Sequence, residues 1–369
     1  MEPFKFGHAT APQWQEAASA CINQLGACQS NNLGFLYTSD LFSSHLPEIL
    51  DYFKLHTGIT HWVGTVGLGV CSVAQEYFDV PAIAVMTGTF PEDSFRLFNS
   101  TLLQEEVDVY RTWAKDKSPL FAMIHVDPRN GRMKELISQT HAYLGENFLV
   151  GALTSSRSLY WQIAGNITEG GLSGVLFSNT VSITTRLTQG CAIIGTRHQI
   201  TECYQNIIMK LDHRPALDVL KEEVGKDKYK NLERVAGYLF IALPLQGYDT
   251  SNYLIRNLIS VDPEHKLLIV GESVSPGMSV TFARRDALVA HKELVNMLSR
   301  LKNSLTMPPK GGIYYSCIGR GEHLFGKDSQ ELKTIQSVLG DFPLAGFFAY
   351  GEISHQYIYG YTGVLTLFI

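Results

Sequence analysis

The chain has 369 residues, of which 45% are hydrophobic and 18% charged, and its net charge is −5. That length exceeds one ordinary core, so two domains are expected, and the balance is that of a globular protein, not a disordered or fibrous one. The mild acidity and the lack of a basic stripe exclude an extended nucleic-acid footprint, and no apolar run approaches the roughly 20 residues that cross a bilayer.

The densest basic stretch, Lys226–Lys230 (KDKYK), is interrupted by Asp227 and reads as a solvated loop or helix end. Tyr238–Leu245 is apolar but short, and it carries Pro244. The N-terminus, MEPFKFGHATAPQWQEA, lacks the basic-then-apolar layout of a secretion signal. The six cysteines (Cys21, Cys28, Cys71, Cys191, Cys203, Cys317) form no CxxC pair, so reduced thiols in a cytoplasmic protein are expected.

Residues 11–26 place Trp14, Ala17, Ala18, Cys21, Ile22 and Leu25 at helical spacing, and Gly26 supplies a stop. A β-α-β-β pattern then recurs. Its first copy reads as strand Leu33–Thr38, helix Leu46–His56 and strands His61–Gly67 and Pro81–Thr87. The second reads as strand Pro119–Asp127, helix Arg132–Leu144 and strands Phe148–Thr154 and Gly174–Ser178. The third reads as strand Gly312–Cys317, helix Ser329–Leu339 and strands Leu344–Tyr350 and Tyr357–Phe368. From first strand to second, Gly34 to Trp62 is 28 positions, Leu120 to Phe148 is 28, and Ile313 to Leu344 is 31. Such crossovers favour parallel pairing, and the last strand of each unit can fold back antiparallel. The fold class is α+β: two domains of mixed sheets covered by helices.

Between the second and third copies, Val181–Met209 alternates and is β-branched, broken by Gly190 and Gly195. Pro215–Val224 reads as a helix opened by proline. Lys226–Val235 is polar and suits a linker, and strands follow at Tyr238–Leu243, Tyr253–Ile259, Lys266–Glu272 and Met278–Ala283. Ala287–Lys302 is an amphipathic helix. The divisions read as an N-terminal helix in 1–29, a first domain at 30–224, a linker at 225–235 and a second domain at 236–369.

Two charges stand just past buried strands of the third copy. Arg320 follows Ile313–Cys317 and Glu352 follows Leu344–Tyr350, flanked by Gly319, Gly321 and Gly351. In a functional reading Arg320 binds a carboxylate bidentately and Glu352 accepts from an ammonium group, a clamp for an amino-acid-like ligand. In a structural reading the two pair with each other. Tyr350, beside Gly351, is the aromatic expected to line such a site. Gly64–Gly69 (GTVGLG) lacks nucleotide-loop spacing and reads as bulges or close backbone approach. The twelve histidines show no HxH, HxxxH or HExxH pair, so no metal site is expected.

Three segments carry a family resemblance: GCAIIGTRHQITECYQNIIMKLDHRPALDVL (190–220), NYLIRNLISVDPEHKLLIVGESVSPGMSVTFARRDA (252–287), and YSCIGRG…PLAGFFAYGEIS…YTGVLTLF in the last sixty residues. The chain resembles FIST proteins, sensory modules of paired FIST-N and FIST-C parts. The resemblance implies a stand-alone, non-catalytic, small-ligand-binding sensor of bacterial type. It would signal to a separate partner such as a histidine kinase or diguanylate cyclase, with neither membrane nor nucleic acid involved. Cys317 and Cys191 lie in the signature segments and join Arg320, Glu352, Tyr350 and Gly351 as ligand-binding candidates. No cofactor is expected. Some family members bind haem as nitric-oxide sensors, and for that alternative the axial candidates are His61, His125 and His355; a protein-interaction module is a further alternative. Three departures stand out: Ile193 where the family has proline, Gln205 where it has glycine, and Tyr359 where it tends to have histidine.

Overall fold

The computed structural model describes residues 4–100, 107–117, 119–145, 147–225, 237–245 and 253–369. It divides into two compact units, Met1–Gln189 with Glu293–Ile369, and Gly190–Lys292. The grouping in space is therefore not sequential along the chain. The expected linker at 225–235, apart from Gly225, and Lys226–Lys230 within it lie outside the described residues.

In the first unit the β-α-β-β pattern occurs three times, each copy carrying an extra leading strand and an internal hairpin. Copy one comprises β1 (Lys5–Thr10), α1 (Trp14–Leu25), β2 (Leu33–Ser39), α2 (Leu46–Thr57), β3 (His61–Gly67), the hairpin β4 (Gly69–Ser72) and β5 (Gln75–Phe78), and β6 (Ala82–Gly88). Copy two comprises β7 (Phe95–Asn99), α3 (Val107–Lys117), β8 (Pro119–Val126), α4 (Met133–Leu144), β9 (Phe148–Leu153), the hairpin β10 (Gln162–Ala164) and β11 (Asn166–Thr168), and β12 (Leu172–Ser178). Copy three opens with β13 (Ile183–Gln189), where the second unit is inserted. That insert holds β14 (Cys191–Tyr204), β15 (Ile207–Leu211), β16 (Arg214–Pro215), α5 (Ala216–Val224), β17 (Leu239–Pro244), β18 (Tyr253–Asp262), β19 (Leu267–Val270) and β20 (Ser279–Arg285). Copy three resumes with α6 (Ala287–Ser304), β21 (Gly311–Cys317), α7 (Glu322–Phe325) and α8 (Gln330–Leu339). It closes with β22 (Leu344–Ala349), the hairpin β23 (Glu352–Ser354) and β24 (Tyr357–Tyr359), and β25 (Thr362–Phe368).

The three copies build three six-stranded sheets of one design. In each, the first and second strands pair in parallel, as a helical crossover requires, and the closing strand pairs antiparallel with the first. The leading strand lies outside the closing strand. The hairpins do not stay at home. β4–β5 extends β22 of copy three, β23–β24 extends β9 of copy two, and β10–β11 extends β3 of copy one. The exchange is cyclic, and every second strand is covered by a hairpin from another copy.

One face of each sheet enters a shared core that includes Phe35, Val63, Met123, Val150, Ile313 and Phe347. The opposite faces are covered by helices: α1 and α2 over Leu36 and Trp62, α4 over Ile124 and Leu149, α6 and α8 over Tyr314 and Leu365. Burial on both faces explains why the central strands read as continuous apolar runs. Each parallel pair also closes on a glycine. A Cβ on Gly64, Gly151 or Gly346 would stand 1.8, 2.1 or 1.8 Å from the backbone oxygen of Leu36, Ile124 or Tyr314, its ladder partner. The close approach expected at Gly64 is thus to its own sheet.

In the second unit, β14, β20, β17, β18, β19 and β15 pair in that order, and β15 returns to β14, closing a six-stranded antiparallel barrel. β14 spans 14 residues and serves both neighbours because its ladder shifts between Ile194 and His198. Ile200, Ile208, Ile241, Leu258 and Phe282 pack inside with Leu217 and Leu220 of α5. The β14–β15 turn puts Gln205 at φ +52°, in the region that favours glycine.

Two outcomes are expected. Alanine at Gly64, Gly151 or Gly346 loses about 3 kcal/mol or more, because backbone must move to admit the methyl; an unchanged denaturation midpoint would contradict the close approach. Gln205→Gly gains about 0.5–1 kcal/mol by relieving left-handed strain, read as a higher midpoint in urea.

Candidate functional site

Arg320 and Glu352 sit where the sequence placed them, past the carboxyl ends of the parallel strands β21 and β22. Both side chains are fully buried. The guanidinium is held by a residue the sequence reading passed over, Glu331, in the first turn of α8. Arg320 Nε donates to Glu331 Oε1 at 2.8 Å, and Nη2 stands 2.6 Å from the same oxygen. Glu331 also accepts from Tyr314 Oη at 2.6 Å, Ser316 Oγ at 3.0 Å and the Gly321 backbone N–H at 2.9 Å. The structural partner of Arg320 is therefore Glu331 and not Glu352. A signal existed: Glu331 lies four residues before Ile335, on the buried stripe of an amphipathic helix where an apolar side chain is expected.

Arg320 keeps donors in reserve. Nη2 is engaged by Glu331, and among the described residues Nη1 reaches only the Tyr361 carbonyl, at 3.5 Å. Its guanidinium carbon lies 5.0 Å from the Phe325 ring centre. Burial works against its charge, but Glu331 outweighs that and holds its pKa above the ordinary value.

Glu352 opens β23 at the point where the chain leaves the sheet of copy three for that of copy two. Its Oε2 accepts from Thr362 Oγ1 at 2.6 Å and from the Thr362 N–H at 3.3 Å, while Oε1 has no partner among the described residues. Burial pushes its pKa up to about 8, against the opposing pull of Thr362 and Arg320. Cys317, also buried, is pushed up to about 12 by burial and then by Glu352, so its thiol stays protonated. A further acid, Glu76 of β5, is raised to about 8 by burial and by the charges of Glu331 and Glu322. Gly321, at φ +53°, backs directly onto Glu76, Phe78 and Phe348.

Arg320, Cys317 and Glu352 are thus brought within electrostatic reach of one another. Gly351 packs against Ile358 and the Tyr359 carbonyl, and Tyr359 is the cross-strand partner of Glu352. Tyr350 turns outward at 39% exposure, its hydroxyl donating to the Ser156 carbonyl at 3.2 Å. Cys191 lies in the second unit, where its carbonyl accepts from Tyr253 Oη at 2.9 Å.

The three histidines have unrelated surroundings. His61 is exposed at the start of β3, with its ring against Phe95. His125 is buried against Tyr37, Tyr315 and Phe347, and His355 stacks on Phe148 beside His141. None of these settings selects a haem ligand. Among the described residues no group of three or more His, Cys, Asp or Glu could hold a metal ion, and no helix is long and apolar enough to cross a membrane.

Residues 32–214 match the FIST N domain and residues 216–355 match the FIST C domain. The chain belongs to the FIST family. FIST domains are small-ligand-binding sensory domains. The chain is 30% identical to the uncharacterized protein Rv0628c of Mycobacterium tuberculosis over 384 aligned positions, covering 98% of each. It is 31% identical to the uncharacterized protein Mb0898c of Mycobacterium bovis over 191 positions, half of each chain. The FIST match follows the order of the chain. The C-domain match begins with α5 of the barrel and runs on into copy three.

The raised carboxyl sets a pH dependence. Folded Glu352 stays protonated up to about pH 8, whereas in the unfolded chain it ionises near about 4.3. Folding takes up a proton in that window, so stability falls as pH rises through it. His8, His125 and His355 are held low by burial and act in the opposite sense, but only below about pH 6.5 where unfolded histidine gains charge. From pH 6.5 to 8 the acids act unopposed. The melting temperature is expected to fall over that range, and Glu352→Gln to flatten the slope by up to about 1.4 kcal/mol per pH unit. A variant profile parallel to wild type means Glu352 is already ionised in the folded protein.

Proposed function

We propose that this FIST chain is a non-catalytic sensor holding a small amino-acid-like metabolite between Arg320 and Glu352. Cys317 and Gly351 form its walls, and Tyr350 stands at the rim. The observation that carries this reading is a fully buried guanidinium and a fully buried carboxyl group past neighbouring strand ends, with Glu352 Oε1 unpartnered among the described residues and Arg320 Nη1 held only by a long 3.5 Å bond to the Tyr361 carbonyl. Leaving such groups without partners is costly, and a ligand bearing both an ammonium and a carboxylate supplies them. Glu331 supports the reading by fixing the guanidinium through Nε and Nη2, which leaves Nη1 with only its long bond to the Tyr361 carbonyl. The walls add no nucleophile, because the Cys317 thiol is held protonated.

The signal follows from the place of Glu352 in the fold. A ligand charge there bears on the strand that joins two sheets, and a ligand that binds one arrangement better shifts the population toward it. The readout goes to a separate protein, a histidine kinase or diguanylate cyclase. Binding an ammonium requires ionised Glu352, so uptake below about pH 8 releases a proton.

Thermal-shift measurements with amino acids, simple amines and simple carboxylates test this. A ligand carrying both groups is expected to stabilise the wild-type protein by about 2.7 kcal/mol at a hundredfold excess over Kd. Glu352→Gln should retain its fold and lose the shift. If no member of the panel moves the wild-type melting temperature, the clamp is not a receptor.

A further inference from the structure

At the centre of the shared core, away from the clamp, the three copies place a polar residue at one equivalent position. Tyr37, His125 and Tyr315 each follow the residue whose backbone oxygen faces the ladder glycine. All are fully buried, and they form a chain: Tyr37 Oη to Tyr315 Oη at 3.1 Å, and Tyr315 Oη to His125 Nε2 at 3.1 Å. Burial pushes His125 down to about 3, so its ring is neutral. Two phenols and a neutral imidazole hold three protons for two links, so one proton must point out of the chain.

Around His125 the partners run out. Among the described residues His125 Nδ1 has none, nor does Ser173 Oγ, and Ser173 is the residue directly across the ladder from His125. Gln162 Oε1 has none either, although the Gln162 amide nitrogen reaches Thr154 Oγ1 at 3.4 Å and the Gly171 carbonyl at 3.5 Å, two residues before Ser173. The neighbouring side chains are also smaller here. The ladder neighbours of His125 are the small Ala152 and Ser173, whereas those of Tyr315 are Phe347 and Val364.

We propose that an ordered water molecule occupies this position, accepting from His125 Nδ1–H and Ser173 Oγ–H and donating to Gln162 Oε1. The proton order then runs from Tyr37 through Tyr315 to His125 Nε2, and the water gives three buried polar atoms a partner each. Three such bonds are what a buried water typically makes. The site lies within copy two and does not depend on the Arg320–Glu352 reading.

A crystal structure of the full chain that resolves ordered solvent tests it directly. Density is expected about 2.7–3.2 Å from all three atoms. An empty site, or a turned His125 ring or Gln162 amide that lets the side chains pair with one another, overturns the proposal. Two substitutions give an independent readout. Ser173→Ala leaves the water two partners and lowers the melting temperature slightly. Ser173→Val displaces it, strands the imidazole and the amide, and lowers the melting temperature further. In a dry core the order reverses, because valine fills space that alanine leaves empty.

Discussion

The first unit depends on the cyclic exchange of its hairpins. A parallel pair covered by one crossover helix leaves its second strand as an open sheet edge, a template for unwanted pairing. Here each such edge is taken by a hairpin from another copy: Ala345 faces Ser72, Gly64 faces Ile163, and Ile353 faces Gly151. No copy can complete its sheet alone, so the three fold as one body. The contacts that close it join distant parts of the chain, and pairing of this kind is slow to form. The barrel enters where it disturbs this least, in the connection between a leading strand and the helix that follows it.

Much of this was readable in the sequence, and the failures have physical causes. The three β-α-β-β units stood out because strands buried on both faces leave continuous apolar runs and crossover helices leave a period of 3.6. In copy one the two positions whose spacing was compared, Gly34 and Trp62, are ladder partners. In the other copies Phe148 faces Phe121 and Leu344 faces Gly312, each one residue from the position used to compare spacing. The hairpin strands, such as Gln162–Ala164 and Glu352–Ser354, are too short to show a period. β1 went unread because its six residues, KFGHAT, are an edge strand with little burial. Closure of the barrel rests on a shift inside β14 and on pairings between distant residues, neither of which composition records.

The candidate site was half visible for a similar reason. Arg320 and Glu352 announce themselves because a charge beside a glycine interrupts an apolar strand. Glu331 does not, because an acid in the first turn of a helix is ordinary and favours the helix dipole. Only the face of α8 on which it lies makes it exceptional. The Gln205 departure was expected from the family resemblance alone, and the structure supplies a reason for glycine there: Gln205 holds a left-handed turn position.

Comparison of the three copies shows how the third differs in the hydration of its charged groups. Each carries an ionisable residue just past its first strand: Asp40 after β2, Asp127 after β8 and Arg320 after β21. Asp40 pairs with Arg157 and Asp127 with Arg129, and both arginine side chains are 50% exposed. Water therefore screens those pairs, and a ligand would gain little by replacing either partner. In copy three the cation and its carboxylate are both at 0% exposure, and a second buried acid stands nearby with an oxygen that nothing satisfies. Removal from water makes each charge there costly to leave unpaired and strong once paired. The end of the first strand thus carries a solvated brace in two copies and is followed by a desolvated polar centre in the third. On the proposed reading, that difference in hydration, more than the identity of any one residue, is what would let copy three discriminate between small charged molecules.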